Sequence, residues 1–337
     1  MPLYEYTPDD ARRNMKENHF HRWSMRERNK NNNENLGVNR IDKDKLEVNL
    51  SNPKFKIKEE EAVFTIGSCF AREIEDNLIK KSFNVLTRKP RFENLYLFNS
   101  VAPNLRRTAF LNRFNTGSML EEIRFLLELE NSSLSKEKLL YKVDKRSWVD
   151  LHYSPVFKTL SLQEGLARRK IIQEELSCLK TAGLIIITLG LIEAWKDLSV
   201  NAYLNVVPGP RVIKKYGKDL RLDVLSFEDN LFHLDEMYDI LMKHCRSDIK
   251  IIITVSPVPL EVTFSKDDVL VANMRSKSIL RSVAETFAAN KDNVDYFPSY
   301  EIACLSSYDQ SWEWDGRHVK PRRVEHIINQ FLNAYID

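Results

Sequence analysis

Two short stretches carry residue types able to do chemistry together. The first is Gly67-Ser68-Cys69, set between the apolar run EAVFTI (61–66) and FAREIEDNLIKK (70–81). Phe70, Ile74, Leu78 and Ile79 recur at helical spacing, so strand, tight turn and helix is the expected order. A serine there closes a strand and opens a helix, where free N–H groups and the helix dipole favour developing negative charge. Its hydroxyl becomes a nucleophile only when a base removes the proton. The same position also suits plain helix capping, with Gly67 easing the turn. Cys69 is a rival nucleophile, although a buried thiol more often packs than reacts.

The second stretch is Asp315-Gly316-Arg317-His318 in SWEWDGRHVKP. A turn through Gly316 can aim both side chains the same way, so that the carboxylate holds the imidazole N–H and stabilises the imidazolium. An ordinary polar approach to the last helix would read the same. The pair follows the last expected strand, on the sheet edge that Ser68 occupies if the strands run parallel. The other histidines lie in the N-terminal arm (His19, His21), an irregular region (His152) or expected helices (His233, His244, His326). No spacing argument brings His152, Tyr153 or Trp148 to the site. The G-x-S-x-G that α/β-hydrolases carry in the middle of the sequence is absent, as are G-x-x-x-x-G-K and G-x-G-x-x-G. No His or acidic cluster has ligand spacing, so no metal is expected.

The elements that must position these groups alternate along the sequence. LQEGLARRKIIQEELSCLKTA (162–182) has a helical pattern, and LIIITLG (184–190) is a strand buried on both faces. FEDNLFHLDEMYDILMKHC (227–245) is helical, and IKIIITVSP (249–257) is the next buried strand. SKDDVLVANMRSKSILRSVAETFAAN (265–290) is a long helix, VDYFPS (294–299) a short strand, and PRRVEHIINQFLNAYI (321–336) a closing helix with Pro321 in its first turn. This alternation predicts an α/β fold with a mostly parallel sheet covered on both faces. Residues 1–60 read as a polar, irregular arm, docked through some of Tyr4, Tyr6, Phe20 and Trp23. Residues 61–337 form the α/β domain, with insertions around 85–160 and 196–226.

With 337 residues, 43% hydrophobic, the protein can bury a substantial core. A net charge of +3 gives no argument for nucleic acid. Cys69, Cys178, Cys245 and Cys304 are widely and irregularly spaced, as for reduced thiols in a cytoplasmic protein. AGLIIITLGLIEAW (182–195) is shorter than the roughly 20 residues a bilayer requires, and no membrane partner is expected.

GSCFA (67–71), TLGLIEAW (188–195), TVSPVPL (254–260), ANMRSKSILR (272–281), YFPSYEI (296–302) and DGRHV (315–319) stand in this order across residues 61–335. Together they resemble the GSCFA domain family, which is grouped with the SGNH/GDSL hydrolases. The resemblance implies a three-layer α/β/α sandwich of SGNH-hydrolase type, with Ser68 as nucleophile, His318 as base and Asp315 as its orienting acid. It implies a serine esterase or O-acyltransferase that works through an acyl-serine on an acyl ester of a carbohydrate or polysaccharide. Its partner would be a small molecule or glycan. No resident cofactor is expected, and acetyl-CoA would be an acyl donor if the reaction is transfer. The alternative is a non-catalytic CoA- or carbohydrate-binding module that keeps the fold.

The sequence departs from the SGNH pattern at the oxyanion donors. The G-x-N-D block is matched by GLIEAW, so Gly190 is present and Glu193 lies where Asn is expected. A carboxylate donates no hydrogen bond unless protonated. Asn115 and Gly117, in RFNTGSM, are substitute donors or mere helix-capping residues. Glu193 and Trp195 line the site, or Trp195 is core. Arg106, Arg107 and Arg113 either grip an anionic substrate or form a solvated basic loop.

Overall fold

The runs VFTIG, LIIITL and KIIITV are rich in β-branched residues and apolar at almost every position, the composition of strands covered on both faces. They pair as the centre of a parallel sheet. The computed structural model describes residues 2–25, 33–41, 43–44, 46–50, 52–88, 107–135, 137–153 and 161–336. Within these, the strands are β1 (Val63–Gly67), β2 (Leu140–Lys142), β3 (Trp148–Asp150), β4 (Leu184–Leu189), β5 (Glu193–Asp197), β6 (Ala202–Tyr203), β7 (Leu220–Val224), β8 (Lys250–Val255) and β9 (Val294–Tyr296). The longer helices are α1 (Pro8–Glu17), α2 (Cys69–Lys80), α3 (Thr116–Leu127), α4 (Leu162–Leu176), α5 (Phe227–His244), α6 (Val269–Ala289) and α7 (Pro321–Tyr335).

The central sheet has the order β1-β4-β8-β9, every pair parallel. Its two faces follow the period-two alternation of side chains along a strand. Phe64, Ile66, Ile185, Ile187, Ile251 and Ile253 pack into one core with Ile123, Ile172, Leu234 and Leu280 from α3, α4, α5 and α6. Val63, Leu184, Ile186 and Ile252 face a second core built from Ile74, Leu78, Val324, Ile327 and Phe331 of α2 and α7. Two helical layers with a sheet between them make a three-layer α/β/α fold, as the alternating pattern predicts.

Two features shape the site. Val85 adds a single parallel bridge to the outer side of β1 at Val63. Strand β1 therefore lies where connections to its two neighbours diverge, and in open α/β sheets ligands bind beyond the carboxyl ends of strands at such a point. On leaving β4 the backbone turns at Gly190 directly into β5, which forms a separate antiparallel sheet ordered β6-β5-β7. Its strands span residues 193–224 and so take in most of the 196–226 region.

The N-terminal segment touches the body at several points. Tyr4 donates a hydrogen bond to Glu285 at 2.8 Å, but Tyr6 and Trp23 are 63% and 61% exposed. The buried contacts come later: Phe55 lies against Tyr335 with ring centroids 5.9 Å apart, and the Ile57 N–H bonds the Tyr335 carbonyl at 2.8 Å. Among the described residues no helix is long and apolar enough to cross a membrane.

Candidate active site

Gly67 ends β1 with φ of +150°, and a Cβ there would stand 2.4 Å from the Thr188 carbonyl oxygen. Only glycine fits that close approach, and it lets the backbone break from strand to helix within one residue. Ser68 then occupies the N-cap position of α2, yet its side chain makes no capping hydrogen bond. Its hydroxyl is buried and has no hydrogen-bond partner among the described residues. Capping therefore does not account for this serine. A hydroxyl left unpaired in a buried place costs about 1–3 kcal/mol, so it calls for an explanation outside packing.

The Asp-x-x-His turn forms as its spacing predicts. Asp315 Oδ2 accepts from His318 Nδ1 at 2.6 Å, and Oδ1 accepts the backbone N–H groups of Arg317 and His318 at 2.9 and 3.0 Å. The His318 N–H and imidazole hold the Asp315 carboxyl far below the usual carboxylate range. With Nδ1 committed, the ring offers Nε2 to whatever approaches, the arrangement of a general base oriented by an acid. The imidazole side chain is 53% exposed, so water reaches it.

Ser68 and His318 line one cavity of about 620 Å³, together with Gly190, Glu193, Trp195, Asn112, Asn115, Asn205 and Ser256. No hydrogen bond joins the serine to the histidine. The ends of β1, β4 and β8 supply Ser68, Gly190 and Ser256, and the 315–318 turn follows β9. Gly190 is pressed close: a Cβ there would lie 2.6 Å from the Phe114 carbonyl oxygen and 3.3 Å from the Ser68 Cβ. No hydrogen-bond partner among the described residues takes up the Gly190 N–H.

Several sequence-based candidates take other roles. Asn115 caps α3, accepting from the Ser118 N–H at 2.8 Å, and its amide donates to the Leu204 carbonyl at 3.0 Å. It lines the cavity as a structural post. Gly117 is corrected as a site residue: it packs beneath the Tyr203 ring, away from the cavity wall, because α3 carries it past the opening turn. Arg113 is also corrected. It is buried, pairs with Glu122 at 2.8 Å and lies over the Tyr153 ring, so it faces the core and not a substrate. His152 joins this cluster through Glu122 at 2.7 Å, and burial with the Arg113 charge lowers its pKa to about 4. Arg106 and the side chain of Arg107 lie outside the described residues.

Glu193 lies in the wall, with one carboxylate oxygen accepting from Thr263 Oγ1 at 2.5 Å and the other from the Phe264 N–H at 2.8 Å. It pins the segment that closes one side of the cavity. Trp195, two residues on and on the same face of β5, meets Phe264 edge-on at 5.8 Å. Burial pushes the Cys69 thiol up, keeping it protonated and a poor nucleophile.

Sequence reasoning missed Asn112, Asn205 and Lys277. Asn112 bridges alongside Gly67, and its side-chain oxygen is buried with no partner. Turning the terminal amide about its last bond puts N–H in that place. Asn205 holds this loop by accepting from the Phe114 N–H at 2.8 Å and donating to the Asn112 carbonyl at 2.7 Å. Lys277 is fully buried on α6 and donates to the Gly190 carbonyl at 2.7 Å, and burial lowers its pKa to about 8. Among the described residues no group of three or more His, Cys, Asp or Glu could hold a metal ion.

No curated protein matches this sequence. The GSCFA family matches residues 62–331, which begin just before β1 and run to near the end of α7 and so include Ser68, Gly190, Lys277, Asp315 and His318. The chain belongs to the GSCFA family.

Proposed function

We propose that this protein is a serine esterase or O-acyltransferase that works through an acyl-serine. The observation that carries the reading is the unpaired, buried Ser68 hydroxyl in the same cavity as a histidine held by Asp315. His318 Nε2 takes the Ser68 proton as Oγ bonds the ester carbonyl carbon. The tetrahedral intermediate collapses, the bond from carbon to the alcohol oxygen breaks, and the imidazolium gives its proton to the departing alkoxide. Water, or an acceptor hydroxyl, then repeats the sequence on the acyl-serine. The exposure of His318 favours hydrolysis when no acceptor occupies the site.

The developing oxyanion needs donors. The Gly190 N–H is unengaged, and the first N–H groups of α2 point out of the helix beside Ser68. The Asn112 amide, adjacent to Gly67, replaces the asparagine that Glu193 displaces. A carbohydrate or polysaccharide alcohol is the substrate class drawn from the SGNH resemblance, with a cytoplasmic location.

Rapid mixing with p-nitrophenyl acetate tests the reading. Wild-type protein is expected to release a burst of about one equivalent of nitrophenol, absent in Ser68→Ala and slowed in His318→Ala. A burst of equal size in Ser68→Ala contradicts it, and no turnover of any ester favours the binding module.

A further inference from the structure

The polar side chains in the cavity wall are mostly engaged with the protein itself. Asn115 is used by α3 and Leu204, Asn205 by the 112–114 loop, and both oxygens of Glu193 by Thr263 and Phe264. Besides the Ser68 hydroxyl, the Asn112 amide oxygen and the Trp195 indole N–H, which have no partner among the described residues, most of what faces the space beyond Ser68 is apolar, including Leu191, Leu204, Val206, Val258, Leu260 and Phe264. A sugar ring in such a space would bring hydroxyls to a wall with few free partners, and each buried unpaired hydroxyl is costly. An acetyl group would leave most of the 620 Å³ unfilled. At the mouth, Val207 and Val262 are 48% and 54% exposed, so the apolar lining continues to the surface.

We infer that the cavity binds the acyl chain of the substrate, and that this chain is aliphatic and of medium length. The ester carbonyl sits at Ser68, the hydrocarbon runs along the wall beneath Phe264, and the alcohol part extends past His318 and Arg317 toward solvent. This inference rests on the acyl-serine reading for its orientation, while the cavity's preference for hydrocarbon is a property of the wall.

Two measurements on the full-length protein separate the two ideas. Calorimetric binding of acetate, butyrate and octanoate to Ser68→Ala reads the cavity without catalysis, and p-nitrophenyl esters of the same acids read turnover by wild type. Octanoate is expected to bind and acetate not to bind detectably, with kcat/KM rising by about threefold per methylene between the butyryl and octanoyl esters. Val262→Asp, a change at an exposed wall position, should weaken octanoate at least tenfold and leave the melting temperature unchanged. Equal binding of acetate and octanoate, or turnover flat with acyl length, overturns the inference even if the Ser68 burst persists. Selective octanoate binding with no ester turned over supports the hydrocarbon cavity and overturns the acyl-serine reading.

Discussion

Two asparagines three residues apart divide the work that one was expected to do. Asn115 spends its oxygen on the Ser118 N–H and donates to Leu204, whereas Asn112 keeps an unpaired buried amide oxygen next to Gly67. Asn112→Ala should therefore lower kcat by about 10² to 10³ with little change in stability, the usual effect of losing an oxyanion donor. Asn115→Ala should instead cost about 1 kcal/mol of stability as a lost cap, seen as a lower urea midpoint. The strand-turn-helix around Ser68 and the Asp315–His318 contact were legible because both are local patterns. Asn112 was not, since its importance comes from a bridge to Gly67, 45 positions away, which no local pattern announces.

At the scale of elements, α6 clamps the back of the site. Asn273 accepts from the Leu260 N–H at 3.1 Å, Ser276 from the Ile192 N–H at 3.2 Å, and Lys277 donates to the Gly190 carbonyl. The spacing of these residues, i, i+3 and i+4, puts them on one helical face. The exits from β4 and β8 are thus fixed by one helix. Lys277 carries a pH signature. Its pKa is about 8 in the fold and near 10.5 unfolded, so between these values the unfolded state binds more protons and stability rises with pH. Relative to Lys277→Met, wild type should gain up to roughly 3 kcal/mol between pH 8 and 10.5, measured by urea unfolding at each pH. A flat difference would mean that the lysine is not desolvated as its burial implies. The helix was readable from its apolar repeat; its clamp was not, because one buried lysine in an amphipathic pattern looks like a solvated one.

Over the whole molecule, the parallel sheet and its two helical layers follow from three runs of apolar β-branched residues and the helices between them, so the architecture was the most legible level. The 85–160 region was opaque because a buried polar network organises its described part. Glu122 is pushed up by burial, but Arg113 and His152 outweigh this and hold it low, while His152 itself stays neutral. The unfolded histidine takes a proton near pH 6.5 and the folded one only near 4, so stability is full above 6.5 and falls as pH drops toward 4. Below 4.5 the depressed Glu122 adds to the loss. His152→Gln should flatten the 6.5-to-4 portion of a plot of melting temperature against pH. In the proposed reading the nucleophile is Ser68, at the end of β1. The most direct measurement is a fluorophosphonate probe followed by peptide mass mapping, in which Ser68 Oγ bonds phosphorus as fluoride leaves. A single adduct on Ser68, lost in Ser68→Ala and formed at least 100-fold more slowly in His318→Ala, is the expected result; an adduct on Cys69 or elsewhere that persists in Ser68→Ala would contradict it.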